Sequence, residues 1–271
     1  MKNYLKAEVK PGNFKMNGSV YAQIPALSFS SIKELDKSPA NFVYTQNNPR
    51  KQTPAMLKGI AVHTAVLEPD VFRKRAMVWS GGTKRGALWD AWKAKSGPDA
   101  IILSQVESDE LNQIIDAVHS HPVAGPLVAT GSAERSLIWK DEGRSFYCKT
   151  KPDLLRKDIK IIVELKTAAD ISPDAFSRAI YTFKYHWQAA YHIHGANVVQ
   201  SKVRYQDLVF IAVETNPPYN VAVYEADPVM IDDGRNAMRP IFDLFESCLK
   251  DDTWPIPYDK VQTISLPPWA R

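Results

Sequence analysis

The sequence has few cysteines and no long apolar run. Cys148 and Cys248 are its only cysteines, so it cannot hold an iron–sulfur cluster, which usually takes four of them. No apolar stretch reaches the ~18 residues that span a bilayer, and the opening segment MKNYLKAEVKPGNF lacks the apolar centre of a signal peptide. We therefore expect a cytoplasmic protein with two free thiols and no membrane partner.

A strong charge of one sign and internal repeats are also absent. The net charge of +4 permits a polyanionic partner without requiring one. The sequence shows neither a low-complexity tract nor a long linker. We therefore expect a single domain over residues 21–271, preceded by a loosely held arm of residues 1–20.

One segment is much more basic than the rest. Residues 72–95 hold seven Lys or Arg against one Asp, with Trp79, Trp89 and Trp92 between them. Cations neutralise phosphates and aromatic faces stack on bases, so the mixture suits a nucleic acid. A solvated basic face with its tryptophans in the core explains the same composition, and the segment alone favours this second interpretation.

The apolar pattern predicts helices first and then a sheet. We expect helices over 27–44, beginning at serine caps and stopping at Pro39, and over 54–69 and 104–122. Two strands are expected over 134–153 around a turn at Asp141-Glu142-Gly143, and a third over 159–167. A helix over 172–197, strands over 206–215 and 219–227, and a helix over 228–250 complete the order. This order predicts an α/β (α+β) fold with a central mixed sheet flanked by helices.

Three charged residues gather around the strand at 159–167. If Asp153 and Glu164 lie on strands that pair as a hairpin, both carboxylates reach one region of the sheet. Glu164 and Lys166 are two residues apart, so they project from the same strand face. With the Leu165 carbonyl between them, these groups would form an oxygen site suited to Mg²⁺ beside a fixed cation. A solvated strand face with Asp153 capping a turn is the alternative, and the pattern alone is weak.

Other residues raise the weight of the metal-site interpretation. His63 projects from the apolar helix one turn after Gly59, and Glu134 heads a strand expected to neighbour the one that ends at Asp153. Each has an ordinary alternative, a core histidine and a surface acid. The segment YHWQAAYH also sets Gln188, Tyr191 and His192 on a helix just after Glu-Leu-Lys, either to touch a nucleotide or as a half-buried face.

Taken in order, these motifs resemble the PD-(D/E)XK nuclease superfamily and its restriction-endonuclease-like core. The chain is most similar to the RecE-type 5′–3′ exonucleases of phage and prophage recombination systems, relatives of λ-type exonuclease. The likeness covers roughly residues 20–271 and includes the segments LSFSSIKELDKSPANF, LKGIAVHTAVLEP, KPDLL, ELKTAAD, YHWQAAY and TWPIPYDKVQTISLPPWA.

The resemblance implies a Mg²⁺-dependent exonuclease, with Mn²⁺ as a substitute, that digests one strand of linear double-stranded DNA from its 5′ end. A 3′ single-stranded tail would remain for a RecT-like single-strand annealing protein. A ring-shaped homo-oligomer would thread the duplex.

The resemblance also implies the role of each site residue. Asp153, Glu164 and the Leu165 carbonyl would bind metal, with His63 and Glu134 completing the two-metal site or positioning its waters. Lys166 would be the catalytic lysine. The residues that would contact DNA are Gln188, Tyr191 or His192, and, at a 5′ phosphate, Ser28 and Ser30.

One position departs from the family pattern. Related nucleases often have Gln-x-x-x-Tyr after the Glu-Leu-Lys strand, but here His192 stands at the last position with Tyr191 before it. Which of the two contacts DNA stays open. An endonuclease of the same superfamily and a non-catalytic DNA-binding protein on the same fold are the rival functions, while the cysteine count excludes a Cas4-like nuclease.

Overall fold

The structure is a computed structural model, and it describes residues 3–6, 8–49, 51–258 and 260–266. Parts of the expected N-terminal arm (residues 1, 2 and 7) and of the C-terminal family segment (residues 259 and 267–270) therefore lie outside the described residues. Within the described ranges, no helix combines the length and apolar character needed to cross a membrane.

The elements of the first half of the chain are mostly helices. In order they are α1 (Asn3–Lys6), β1 (Gly12–Lys15), α2 (Gly18–Gln23), α3 (Phe29–Lys37), α4 (Pro39–Asn47), α5 (Pro54–Leu67), α6 (Pro69–Arg75), β2 (Ala76–Trp79), α7 (Ala87–Lys95), β3 (Ile101–Ser104), α8 (Gln105–Ser120) and α9 (Ala124–Val128).

The second half carries most of the strands. In order they and their helices are β4 (Ser132–Ala133), β5 (Arg135–Trp139), β6 (Cys148–Thr150), β7 (Leu154–Arg156), β8 (Ile161–Ala168), α10 (Pro173–Phe183), α11 (Tyr185–Val199), β9 (Asp207–Glu214), β10 (Val221–Glu225) and α12 (Pro228–Asp251).

The central sheet has five strands in the order β10-β9-β8-β7-β4. The pair β8–β9 is parallel and the other three pairs are antiparallel, so the sheet is mixed, and the predicted fold class is confirmed. Two smaller sheets accompany it, β1-β5-β6 and the parallel pair β2-β3.

Strand β8 is covered on both faces, which explains why its apolar residues run together rather than alternate with polar ones. Successive side chains point to opposite faces. Ile162 enters the core formed with helices α3, α4, α11 and α12. Val163 and Leu165 enter the second core, with α5, α8 and α9. Glu164 and Lys166 consequently share the face of Ile162, toward α11.

The predicted helix starts are found at their caps. The Ser28 side chain accepts a hydrogen bond from the Ser31 N–H at the start of α3, and Ser104 forms a capping box with Glu107 at the start of α8. Helix α3 ends before Pro39 as predicted, and that proline then opens α4. Local polar residues therefore determine these boundaries.

Several element predictions were wrong in detail. The helix expected over 172–197 breaks at Lys184, whose φ of 59° is left-handed, into α10 and α11. The two strands expected over 134–153 belong to the three-stranded sheet rather than the central one. The strands β2 and β3 were missed because each has only four residues, and β2 lies within the basic segment.

The segment before residue 21 makes more contacts than a loose arm would. Strand β1 pairs with β5, from Gly12 opposite Ile138 to Lys15 opposite Arg135. The Tyr4 ring is buried and packs edge-on against Phe42 and Phe245. The expectation of a loose arm does not fit these contacts, because strand pairing and ring packing attach the segment; the domain boundary at residue 21 stays a prediction.

Candidate active site

The β7–β8 hairpin brings the two predicted acids together. Leu154 pairs with Val163 and Arg156 with Ile161, so Asp153, just before β7, comes opposite Glu164. The Asp153 N–H donates to Glu164 Oε1 at 3.1 Å, and the Leu165 N–H donates to Asp153 Oδ2 at 2.8 Å. The hairpin prediction is confirmed, with one correction: Asp153 precedes β7 instead of ending the earlier strand, because β6 already stops at Thr150.

Glu164 is fully buried and its charge is balanced inside the protein. Lys166 Nζ lies 2.8 Å from Glu164 Oε2. His192 Nε2 lies 3.3 Å from Oε1, within ion-pair distance when the imidazole is protonated but not aligned as a hydrogen bond. Burial alone would raise the pKa of Glu164, but Lys166 and His192 together lower it. The carboxylate therefore stays ionised at neutral pH.

Lys166 is held as a cation by the same arrangement. Burial would lower its pKa, but the Glu164 and Asp153 carboxylates outweigh that effect and raise the pKa above the usual lysine value. Its Nζ also lies 4.9 Å from the centre of the Tyr185 ring, a position in which the ring quadrupole attracts a cation. Lys166 is therefore a fixed positive charge and not a proton acceptor at neutral pH.

A second group of side chains lies on the other side of Asp153. His63 from α5, Glu134 from the junction of β4 and β5, and Asp153 each offer a ligand atom, all within 4.8 Å of one another. His63 Nδ1 is 3.4 Å from Asp153 Oδ2. Three separate elements of the fold thus converge on one small volume.

Glu134 is held there by an unusual backbone conformation. Its φ of 52° is left-handed, a conformation that costs a non-glycine residue free energy and clusters at functional sites. The Glu134 N–H donates to the Asp153 carbonyl at 2.9 Å, and the side chain forms an ion pair with Lys151. These contacts fix the carboxylate beside Asp153.

The electrostatics of this second group favour a bound cation. Burial and the Asp153 charge raise the pKa of Glu134, although Lys151 partly offsets them. Burial lowers the pKa of His63, but Asp153 more than compensates, and the result is a raised pKa. Glu134 holds its proton more tightly than usual chiefly because it is buried and also because Asp153 is near, and His63 does so because of Asp153; a divalent cation would offset the charge of Asp153.

The donor set also fits a divalent metal. Two carboxylates and one imidazole suit Mn²⁺, and Mg²⁺ is commonly held by one or two carboxylates with several waters. His63, Glu134 and Asp153 would hold the ion. The Glu164 carboxylate instead faces Lys166 and His192, so metal ligation by Glu164 and by the Leu165 carbonyl stays a prediction.

The two residues predicted as alternative DNA contacts, Tyr191 and His192, both have buried side chains in this structure. Tyr191 is 1% exposed, and its hydroxyl donates to the Leu27 carbonyl at 2.6 Å. His192 is 3% exposed and lies between Glu164 and the Thr150 hydroxyl, with which it forms a hydrogen bond. His192, which stands where related nucleases often have Tyr, therefore contacts Glu164 and not solvent. Gln188 is half-buried on the same helix and stays a predicted DNA contact.

The segment that carries Ser28 and Ser30 is attached to the site through α11. Ser28 is buried and Ser30 exposed, with their hydroxyls 3.0 Å apart. The Leu27 carbonyl accepts a hydrogen bond from the Tyr191 hydroxyl. Just before this segment, the carbonyls of Tyr21, Ala22 and Ile24 accept hydrogen bonds from Lys149 Nζ at 2.7–3.2 Å. Phosphate binding by the two serines stays a prediction.

Sequence reasoning missed three residues that support the site. Lys151 pairs with Glu134, Thr150 bonds to His192, and the Tyr185 ring lies beside Lys166. The first two stand directly before Pro152-Asp153 in the segment KTKPD. Their closeness to Asp153 along the chain was a signal, but their partners come from other elements.

Comparisons with known proteins agree with this geometry. Residues 28–267 match a family model described as "PDDEXK-like domain of unknown function (DUF3799)". No curated protein matches the chain. Among solved structures, it is similar to a crystal structure of a protein from Eubacterium rectale described as a "Putative exonuclease". The identity is 11%, the TM-score 0.62, and the match covers 94% of this chain and 97% of that one; at this identity the likeness shows the fold alone.

Proposed function

Because residues 28–267 place the chain in the PDDEXK-like family, we propose that it is a divalent-metal-dependent exonuclease acting on linear double-stranded DNA. It removes one strand from the 5′ end and leaves a 3′ single-stranded tail for recombination by strand annealing. The observation that carries the proposal is the group His63–Glu134–Asp153 beside the fixed cation of Lys166.

The proposed chemistry is hydrolysis of a phosphodiester. A divalent metal, when bound, would supply a more acidic water and charge stabilisation for the phosphodiester oxygens. His63, Glu134 and Asp153 would hold that ion in place. Lys166 adds a positive charge that offsets the charge growing on the phosphate, and its raised pKa suits it to this role rather than to that of a base.

The division of labour between the two acids follows from their contacts. Asp153 contacts both groups, since its N–H donates to Glu164 Oε1 at 3.1 Å and its Oδ2 lies 3.4 Å from His63 Nδ1. Glu164 keeps Lys166 charged and oriented through the 2.8 Å contact. In this proposal Asp153 holds the metal, and Glu164 contributes chiefly through Lys166.

Two parts of the proposal, digestion from the 5′ end and the requirement for a DNA end, depend on the segment around the start of α3. Exposed N–H groups at a helix N-terminus favour an anion, and Ser30 is exposed there two positions beyond the buried cap Ser28. Through Tyr191 this segment is joined to α11, the helix that carries Gln188. The Eubacterium rectale protein of similar fold is described as a "Putative exonuclease", and an exonuclease is also the activity proposed for this chain.

Digestion of end-labelled DNA tests the proposal. A linear duplex labelled at either the 5′ or the 3′ end, and a closed circle, are incubated with the protein and Mg²⁺ or Mn²⁺. We expect early release of the 5′ label, late release of the 3′ label and an uncut circle. Cutting of the circle would identify an endonuclease, and tight binding without any release a non-catalytic DNA-binding protein.

The assembly is a separate part of the proposal. A ring-shaped homo-oligomer would keep the enzyme on the duplex, and a RecT-like single-strand annealing protein would receive the tail. Sedimentation of the full chain with and without DNA measures the oligomeric state. Co-purification with a single-strand annealing protein tests the partner. A monomer that digests long duplexes without dissociating would contradict the ring.

A further inference from the structure

The basic segment carries a tryptophan cluster outside both cores of the molecule. Trp79 ends β2, and Trp89 and Trp92 lie on α7. The ring centres are 5.2–5.9 Å apart, and the last two rings are stacked with 23° between their planes. None of the three belongs to either apolar core that the described residues form. Trp79 is buried, but Trp89 and Trp92 are only half-buried, so the interpretation that placed the tryptophans in the core holds for Trp79 and not for the other two.

Helix α7 presents the cluster toward solvent. It has no buried residue, Trp89 and Trp92 are only half-buried, and Leu88 is 81% exposed. An apolar surface of this kind on a soluble protein marks an interaction site more often than a surface with scattered apolar residues does. Contacts of Trp89 and Trp92 with Trp79 attach α7 to β2, while part of the Trp89 and Trp92 side chains remains accessible to solvent.

Cations flank the rings on the same helix face. Residues three or four positions apart on a helix are neighbours, which places Lys93 beside Trp89 and Lys95 beside Trp92. Lys93 Nζ lies 5.9 Å from the centre of the Trp89 ring. Among the residues that the structure describes, Arg85 and Lys95 have no acidic partner. We call Trp89, Trp92, Lys93 and Lys95 the tryptophan surface.

We propose that the tryptophan surface binds single-stranded DNA. Its positive charge complements phosphates, and half-exposed indole rings stack on unpaired bases, a combination typical of sites that bind single strands without sequence preference. A duplex offers its base faces only at an end, so the rings favour a single strand. The inference rests on the proposed function, which produces such a strand, and adds a second DNA contact away from the carboxylates.

The tryptophan surface is connected to the helix that carries His63. His63 lies one helical turn before the end of α5, and only the seven-residue α6, about 10 Å long at 1.5 Å per residue, separates α5 from β2. Helix α8 packs on both α5 and the β2–β3 pair. The tryptophan surface and the metal-binding histidine are thus carried by one packed unit.

Binding of fluorescein-labelled oligo(dT) by the full chain in EDTA tests the inference without hydrolysis. We expect the double variant Lys93→Glu/Lys95→Glu to bind about tenfold or more weakly and to show a shallower dependence on salt. The matched control Lys157→Glu/Lys202→Glu, which makes the same charge change at exposed lysines elsewhere, should bind like the wild type. Trp89→Leu should weaken binding about tenfold because one stacking ring is lost.

The outcomes separate this inference from the nuclease proposal. Oligo(dT) binding that depends on Lys93, Lys95 and Trp89 supports the inference even if the protein hydrolyses nothing. Equal binding by the wild type and both tryptophan-surface variants overturns it even if digestion proceeds. A change in sedimentation of Lys93→Glu/Lys95→Glu at unaltered DNA affinity also overturns it and assigns the surface to contacts between copies. Thermal melting checks that each variant is folded.

Discussion

The two groups of charged residues on either side of Asp153 are organised in opposite ways. Glu164, Lys166 and His192 form a closed group, in which Glu164 and His192 are buried, the Lys166 side chain is 12% exposed, and the Glu164 carboxylate faces the Lys166 ammonium. His63, Glu134 and Asp153 form an open group, in which Asp153 is buried and the other two are half-buried, two carboxylates face one paired cation, Lys151, and the pKa values of His63 and Glu134 are raised. Asp153 contacts members of both.

This difference separates stability from ligand binding. A buried charge without its partner costs several kcal/mol, so the closed group has to be complete for the chain to fold well. The open group is only partly neutralised by the protein, since Lys151 pairs with Glu134, and its two carboxylates can take an external cation. Of the three charged residues around strand β8, Glu164 and Lys166 therefore belong to the group that stabilises the fold, and Asp153 belongs to the group that binds a ligand.

The largest effect is expected in the closed group. Lys166→Met leaves the buried Glu164 carboxylate without its main partner, so we expect a loss of about 3 kcal/mol in the free energy of unfolding together with loss of digestion. Urea denaturation and nucleotide release measure the two effects.

The double variant Glu164→Gln/Lys166→Met provides the control. It removes both charges, so it should recover about 2 kcal/mol of the stability lost in Lys166→Met and remain inactive. If both variants were equally unstable, the ion pair would not be the source of the effect.

The open group should show the opposite behaviour. Asp153→Asn keeps an oxygen that can accept from the Leu165 N–H but removes a charge from a group with excess negative charge. We expect metal-free stability to stay within about 1 kcal/mol of wild type. Saturating Mn²⁺ should stabilise the wild type by about 2–3 kcal/mol, as a ligand at 100 times its dissociation constant would, and should not stabilise the variant.

His192 distinguishes positioning of Glu164 from contact with DNA. His192→Phe should lower kcat about 10- to 100-fold, the range expected when an outer residue that orients an active-site side chain is lost, with KM for DNA unchanged because the ring is buried. His192→Asn, which keeps a polar group for Glu164 and Thr150, should recover part of kcat. A raised KM at normal kcat would restore the DNA-contact role.

The smallest effect is the pH dependence of the metal-free protein. His63 and Glu134 have raised pKa values in the folded state, so their contribution to stability is complete below their ordinary values of 6.5 and 4.5 and is lost as pH rises through the folded values. Glu164 has a lowered pKa, and its contribution is lost only as pH falls below 4.5. In EDTA, stability should therefore fall from pH 5 to pH 8 by about 1 kcal/mol, and less in Glu134→Gln. A rise over this range would contradict the excess negative charge.

The strand and the hairpin that position Asp153, Glu164 and Lys166 could be predicted from the sequence. The branched run Ile161–Val163 identifies a buried strand, and the spacing of Asp153 and Glu164 identifies a hairpin. What could not be predicted were the partners from distant elements, because side-chain contacts with α5 and α11 depend on how those helices pack. His192 shows this best, since its helical spacing from Gln188 was recognised but not that this face is buried against β6 and β8.

The break between α10 and α11 had no clear signal in the sequence. Lys184 adopts a left-handed conformation that glycine or asparagine adopts more readily, and neither residue stands there. The break sets the start of α11 and thereby the positions of Tyr185 and His192 beside Lys166 and Glu164. Tertiary packing outweighed local preference at this point.

The most direct test of the central claim is nucleotide release from a linear duplex as a function of Mg²⁺ concentration, for wild type and Asp153→Asn in parallel. We predict saturable, metal-dependent release by the wild type and at least a thousandfold slower release by the equally folded Asp153→Asn at every concentration. Metal-dependent release by the variant at the wild-type rate would contradict a metal site built on His63, Glu134 and Asp153.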